Sequence, residues 1–279
     1  MVGSEPTPND RISQLISLVL AGVALSSVAS LPSWSAELHV LGSPLTIGLS
    51  VRWLLAALLG AVVAVGTDGL IRSVPGLGNV DMRFTATFWI LPCLVTLATA
   101  IAVPGQFGNV RAWLISLVLL GALLAGVLVA EHGTAQLDAR HYRTARLGLN
   151  LATYLAAFVL FATIYGMQQR SLVSATLVLC VTFPLALEIL RLSEKELATT
   201  WLLGGVVALV LAELTWALNA WGQSALTGGS LLLLAFYTLT GIAQQALAGR
   251  LNRRILLEFA TIGAAGLAIL WLTLRWPSG

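Results

Sequence analysis

Charge is what this chain has least of. Only 10% of its 279 residues are Asp, Glu, Lys or Arg, against about 25% in a soluble domain. No stretch between the apolar runs is long enough to fold as a sizeable soluble domain. Histidine is also scarce. His39, His132 and His141 all fall between the apolar runs, which argues against an intramembrane haem ligand and against proton relays built from buried imidazoles. The two cysteines, Cys93 and Cys180, sit in separate apolar runs with no CxxC pair, so they read as small buried hydrophobes rather than a disulfide or metal site. No Walker A sequence is present, which excludes ATP hydrolysis by that route.

What the chain has instead is apolar length. Hydrophobic residues make up 58% of it, and the mean hydropathy is +0.90. Nine runs approach the ~20 residues a helix needs to cross a bilayer. They cover 12–32, 46–67, 85–104, 112–130, 147–168, 171–192, 199–220, 226–247 and 256–274. The sequence thus predicts an all-α polytopic integral membrane bundle of nine transmembrane helices, in a single transmembrane domain over 1–279 with a short polar tail over 1–11. Eight helices are the alternative, because Arg52 sits near the start of the second run. The first run has no clear small-residue cleavage site and reads as a retained span rather than a signal peptide. Between the first two runs, His39 to Leu45 reads as a turn between two short extended pieces.

The net charge of +3 suits a membrane protein better than a nucleic-acid binder, because Arg and Lys gather in cytoplasmic loops. Nine spans place 11 of the 15 basic residues on the side of the N-terminus and 4 on the other. The positive-inside rule then puts the N-terminus in the cytoplasm and the C-terminus outside. Trp34, Trp53, Trp113, Trp221, Trp271 and Trp276 fall at the outer interface and Trp89 and Trp201 at the inner, leaving only Trp216 deeper.

Several phrases of the chain have a family likeness: Ala139-Arg140-His141-Tyr142-Arg143, Arg170-Ser171-Leu172-Val173-Ser174-Ala175-Thr176, Leu185-Ala186-Leu187-Glu188-Ile189-Leu190-Arg191, Glu213-Leu214-Thr215-Trp216-Ala217-Leu218-Asn219 and Phe236-Tyr237. Over about 139–258 the chain resembles a family of uncharacterised bacterial polytopic membrane proteins. The resemblance implies a bacterial inner-membrane protein with no assigned activity, and no catalytic residue carries over. By contrast, Asp68-Gly69-Leu70-Ile71-Arg72 has the first Asp-Gly of CDP-alcohol phosphotransferases without their further aspartates, and no aspartate-rich prenyltransferase motif occurs.

Candidate site residues come from polar groups inside the runs. Glu213 lies about seven residues from the outer end of the seventh, where a charge needs a partner, a proton or a water-filled cavity. Arg52, at similar depth in the second run, is the expected partner, with Arg170 next. In the eighth run Tyr237, Thr240, Gly241 and Gln244 fall at i, i+3, i+4 and i+7, one helical face. Asn150, Thr153 and Tyr154 share a face of the fifth, and Glu188 lies near the inner end of the sixth, as Glu258 does in the ninth. These groups either line a cavity open to the cytoplasm or bind helices together by hydrogen bonds worth about 1 kcal/mol each. Glu188 with Arg191, and Arg254 with Glu258, have the spacing of ordinary same-face pairs.

In the 131–146 segment Arg140, Arg143 and Arg146 are expected to touch anionic lipid headgroups. Glu131, His132, Asp138 and His141 supply metal-ligand types there, but in no zinc-binding spacing. Gly60 with Ala64, Gly121 with Ala125, and Ala122 with Gly126 have the spacing of close helix packing.

Three functions follow. The first is a transporter or flippase for a small or lipid-like molecule. The second is a non-catalytic membrane subunit, with a protein partner or a second copy of itself. The third, a membrane-embedded lipid-modifying enzyme, has the least support, because no nucleophile, metal set or acid–base pair converges. No cofactor, metal or nucleic acid is implied; membrane lipids are the expected partners.

Overall fold

The computed structural model describes residues 8–28, 33–40, 43–74, 82–103, 109–135, 139–167, 171–191 and 197–275. The N-terminal tail before Pro8, Asp138 and Arg170 lie outside the described residues, as do the side chains of Arg52, Arg140, His141 and Arg143. Nine helices and one hairpin occur among the described residues. They divide into two compact units, Met1–Leu149 and Asn150–Gly279.

The first unit holds α1 (Pro8–Val28), β1 (Ser33–Val40), β2 (Ser43–Ser50), α2 (Val51–Arg72), α3 (Met82–Ala102), α4 (Val110–Ala135) and the opening of α5 (Ala139–Gly166). The strands pair antiparallel, from Ser33 opposite Ser50 to Val40 opposite Ser43. This corrects the second expected span, which does not begin at residue 46. Leu45 to Ser50 alternates apolar with small or polar residues, a period-2 pattern that a hydropathy window averages away. The helix starts only at Val51.

Helix α2 packs on α3, and α1 packs on α2 and α4. Small residues let the backbones approach. A Cβ added at Gly60 would lie 3.0 Å from the Cys93 sulfur, and one at Gly121 would lie 3.2 Å from Leu20. Gly126 is different: it is exposed, with nothing within 4 Å, so the expected Ala122–Gly126 packing face is not used. Val19, Val23, Val63, Leu70, Leu91, Leu124 and Leu128 form the buried interior. Pro92 interrupts the α3 ladder, and the Thr96 hydroxyl donates to its carbonyl at 2.8 Å.

The second unit holds the rest of α5 with α6 (Ser171–Leu190), α7 (Leu197–Asn219), α8 (Ala225–Leu247) and α9 (Arg253–Arg275). Helix α7 packs on α6 and α8, and α9 packs on α8. The turn into α8 uses Gly222 at φ +59°, then Ser224, whose hydroxyl accepts from the Thr227 N–H. Gly249, at φ +65°, ends α8: its N–H reaches the Ala246 carbonyl and that of Arg250 reaches Gln245, the two bonds of a Schellman close. A close crossing joins α5 and α8. A Cβ at Gly229 would stand 2.7 Å from the Ala162 Cα. Phe161 and Phe236 are the largest wholly buried side chains, at 5.8 Å and nearly perpendicular.

Both units expose apolar faces. Leu114, Ile115, Val118 and Leu119 point outward from α4, and Trp201, Leu202, Val206, Leu209 and Trp216 from α7. Contiguous apolar surface of this kind suits lipid, not water. Six helices among the described residues are long and apolar enough to cross a membrane, over Leu54–Arg72, Val110–Thr134, Thr144–Gly166, Ser171–Leu190, Ala198–Asn219 and Ala225–Leu247. Within α3, the apolar stretch Phe88–Ala102 is shorter among the described residues. The apolar helices point to a multi-pass helical membrane protein.

Candidate functional site

In the second unit, α5, α8 and α9 border an open cleft of about 400 Å³. Its wall is formed by Tyr154, Ser230, Leu233, Leu234, Tyr237, Gly266 and Ile269, and is almost wholly apolar. Aromatic rings set its inner end. Tyr154 stands 5.6 Å from Tyr237 and 5.9 Å from Phe236, and Tyr237 stands 6.3 Å from Phe259. Glycine makes room for the last contact: a Cβ at Gly241 would run into the Phe259 ring. Gly266 does the same beside Leu234.

The hydrogen bonds separate polar groups that serve packing from those that face the cleft. The Thr240 hydroxyl donates to the Phe236 carbonyl at 2.6 Å. Its single proton is thus committed, and Tyr154 is the donor in its longer 3.5 Å contact with Thr240. Gln244 donates to the Ile189 carbonyl at 3.0 Å, satisfying one of the last carbonyls of α6, which have no partner within the helix. Ser230 and Tyr237 differ. They lie seven residues apart on one face of α8, and neither hydroxyl has a hydrogen-bond partner among the described residues. The cleft therefore offers an apolar wall with two open hydroxyls along one helix.

A family model described as "Protein of unknown function (DUF5656)" matches residues 31–273. The chain belongs to this family. No curated protein and no solved structure matches it significantly. The family match runs well beyond the 139–258 stretch that carried the resemblance, and it takes in both the hairpin and the cleft.

Within this family member, the structure brings together Tyr154, Tyr237 and Thr240 and ties Gln244 to α6. Asn150, one turn before Tyr154, is half-buried, and its side chain has no hydrogen bond among the described residues. Glu188 is 2% exposed and pairs with Arg191 at 3.3 Å; Glu258 pairs with Arg254 on the exposed face of α9. Both pairs have the same-helix spacing expected of them.

Glu213 is not drawn into the unit. It is exposed on α7, without a partner among the described residues, six residues before the helix ends at Asn219. That is about 9 Å along the axis from the end of the helix. Arg52, its expected partner, lies on α2 with its side chain outside the described residues.

The basic segment also needs a correction. The stretch from 131 to 146 is mostly helix: Glu131 and His132 lie near the end of α4, which closes at Ala135, and Ala139 opens α5. Arg146 is 7% exposed and engaged within the protein, and the side chains of Arg140 and Arg143 lie outside the described residues. Glu131 is wholly buried and engaged as well.

Sequence reasoning missed Ser230, Gly266, Phe259 and Tyr165. Tyr165 is buried, donates to the Leu218 carbonyl at 2.8 Å and accepts from the Gln223 N–H at 3.3 Å, fixing the α7–α8 turn to the end of α5. Its signal was present: Tyr154, Phe161 and Tyr165 recur at i, i+7 and i+11, one stripe of α5.

Proposed function

We propose that this protein binds a lipid-like molecule in the α5–α8–α9 cleft and acts as a transporter or flippase for it in the bacterial cytoplasmic membrane. The observation that carries this reading is the cleft itself. It combines an apolar wall, a volume in the range of small-molecule sites and two unsatisfied hydroxyls on one helix face. Thr240 and Gln244 spend their donors inside the protein, which favours a ligand entering sideways from lipid over an aqueous path along that stripe. In this reading the N-terminus is cytoplasmic and the C-terminus external, from the distribution of basic residues.

Reconstitution into vesicles carrying a fluorescent phospholipid tests it. The wild-type protein should speed lipid exchange between leaflets. Ser230→Leu and Ile269→Phe, which fill the cleft, should slow it. A wild-type protein that leaves exchange at the protein-free rate would refute transport.

Glu213 favours a second reading, as a membrane subunit. A carboxylate exposed within a membrane-crossing helix is costly unless another group meets it. A basic or hydrogen-bonding residue on a neighbouring helix would serve. Extraction in mild detergent with a stoichiometric protein partner that Glu213→Gln releases would support this reading over transport.

A further inference from the structure

The first unit has a groove of its own that differs chemically from the cleft. Helices α1 and α2 cross closely near Gly66, where an added Cβ would run into Leu15. Beside that crossing lies an open groove of about 370 Å³, lined by Arg11, Gln14, Leu15, Leu18, Gly66, Gly69 and Leu70. Its long wall is leucine. One end carries a guanidinium and an amide.

Three features define what would fill it. Arg11 has no ion-pair or hydrogen-bond partner among the described residues, so its charge is available. The nearby acidic groups leave it so: Asp68 is held by Arg72 at 2.7 Å, and Asp10 is exposed with an interaction of its own. Gly69, with nothing within 4 Å of where its Cβ would stand, keeps the groove open where a side chain would close it. Arg11 lies in the first turn of α1 and Leu70 in the last turn of α2, so the polar end falls at an end of both helices. Headgroups sit at that level of a bilayer, and acyl chains run inward from it along the leucine wall.

We infer that the α1–α2 groove binds one anionic phospholipid, its phosphate on Arg11 and Gln14 and an acyl chain along Leu15 and Leu18. Charge complementarity selects the headgroup, and the apolar length selects a lipid over a free anion. The site is separate from the α5–α8–α9 cleft, which has no charged residue in its wall.

Photo-crosslinking of the full-length protein in nanodiscs tests this. The probe is phosphatidylglycerol with a diazirine in its acyl chain; phosphatidylcholine with the same chain is the control. Labelling should fall on 14–18 and 66–70, with phosphatidylglycerol favoured over phosphatidylcholine by about fivefold, the value of one interfacial cation. Arg11→Gln should remove that preference and Arg11→Lys should keep it. Because Arg11 is half-exposed and unpaired, neither change should disturb the fold. Gly69→Leu should reduce labelling by both lipids. Ser230→Leu, in the other unit, should leave labelling here unchanged even if the transport reading is wrong. An unchanged preference in Arg11→Gln, or labelling absent from both segments, would overturn the site. Inorganic phosphate displacing the lipid at millimolar concentration would assign the groove to a free anion instead.

Discussion

Arg191→Ala should damage this protein more than Glu188→Gln, although the two side chains form one ion pair. The two ends of the pair differ in burial. The Glu188 side chain is 2% exposed and that of Arg191 14%, with 3.3 Å between their charged atoms. At that separation an effective dielectric constant near 20 gives an attraction of about 5 kcal/mol before desolvation is subtracted. Removing Arg191 takes a cation away from a buried carboxylate, a loss of up to roughly 3–5 kcal/mol for a fully buried pair. Arg191 follows the last residue of α6 and already reaches solvent, which lowers the expected cost to about 2–4 kcal/mol. Removing the charge of Glu188 instead leaves a guanidinium on a long stem that can turn to the interface, at about 1 kcal/mol. The double variant should lie nearer Glu188→Gln than the sum of the two. Unfolding midpoints in a mild detergent, followed by tryptophan fluorescence, give all three values. Additive losses, or a larger loss for Glu188→Gln, would refute the reasoning from burial.

Other expectations rest on packing, topology and depth. Gly229→Ala should lose at least the roughly 1–3 kcal/mol of an overpacked core, because its Cβ would meet the Ala162 backbone at 2.7 Å. Gly126→Ala, in open space on α4, should be neutral or gain up to about 1 kcal/mol; equal losses at the two sites, compared by detergent unfolding, would contradict the packing described. Reporter fusions at Gly279 and after Ala135 should place the C-terminus outside and the α4–α5 connection in the cytoplasm. A C-terminal fusion active only in the cytoplasm would mean an even number of crossings. Glu213→Gln and Arg52→Gln should each destabilise the protein, with the double variant recovering part of the loss, if the two residues pair; additive effects would leave Glu213 to an external partner.

Much of the helical plan is readable because lipid imposes length. The expected spans 171–192, 199–220 and 226–247 coincide closely with α6, α7 and α8, since Gly222 and Gly249 mark two of their boundaries. The turn of the hairpin was legible at His39 to Leu45, but its second strand falls largely inside the second expected span, because apolar residues alternating with small ones have the average hydropathy of a weak span. The site was half legible. Helical spacing placed Tyr237, Thr240 and Gln244 on one face and Tyr154 on another, but spacing does not say which hydroxyl is already committed. Thr240 and Gln244 were spent on carbonyls; Ser230, which passes in sequence for a small packing residue, was open. Depth along a helix also says nothing about direction around it. Glu213, well inside its run, turned out to be exposed, whereas Glu188, near a helix end, is buried.

Native mass spectrometry of the protein released from membrane nanodiscs tests the central claim most directly. The wild-type protein should retain a lipid-like molecule through gentle activation. Ser230→Leu and Ile269→Phe together should retain one bound molecule fewer than the wild type, while Arg11→Gln keeps the one in the cleft. Equal retention by the wild type and the cleft-filled variant would contradict binding in the α5–α8–α9 cleft.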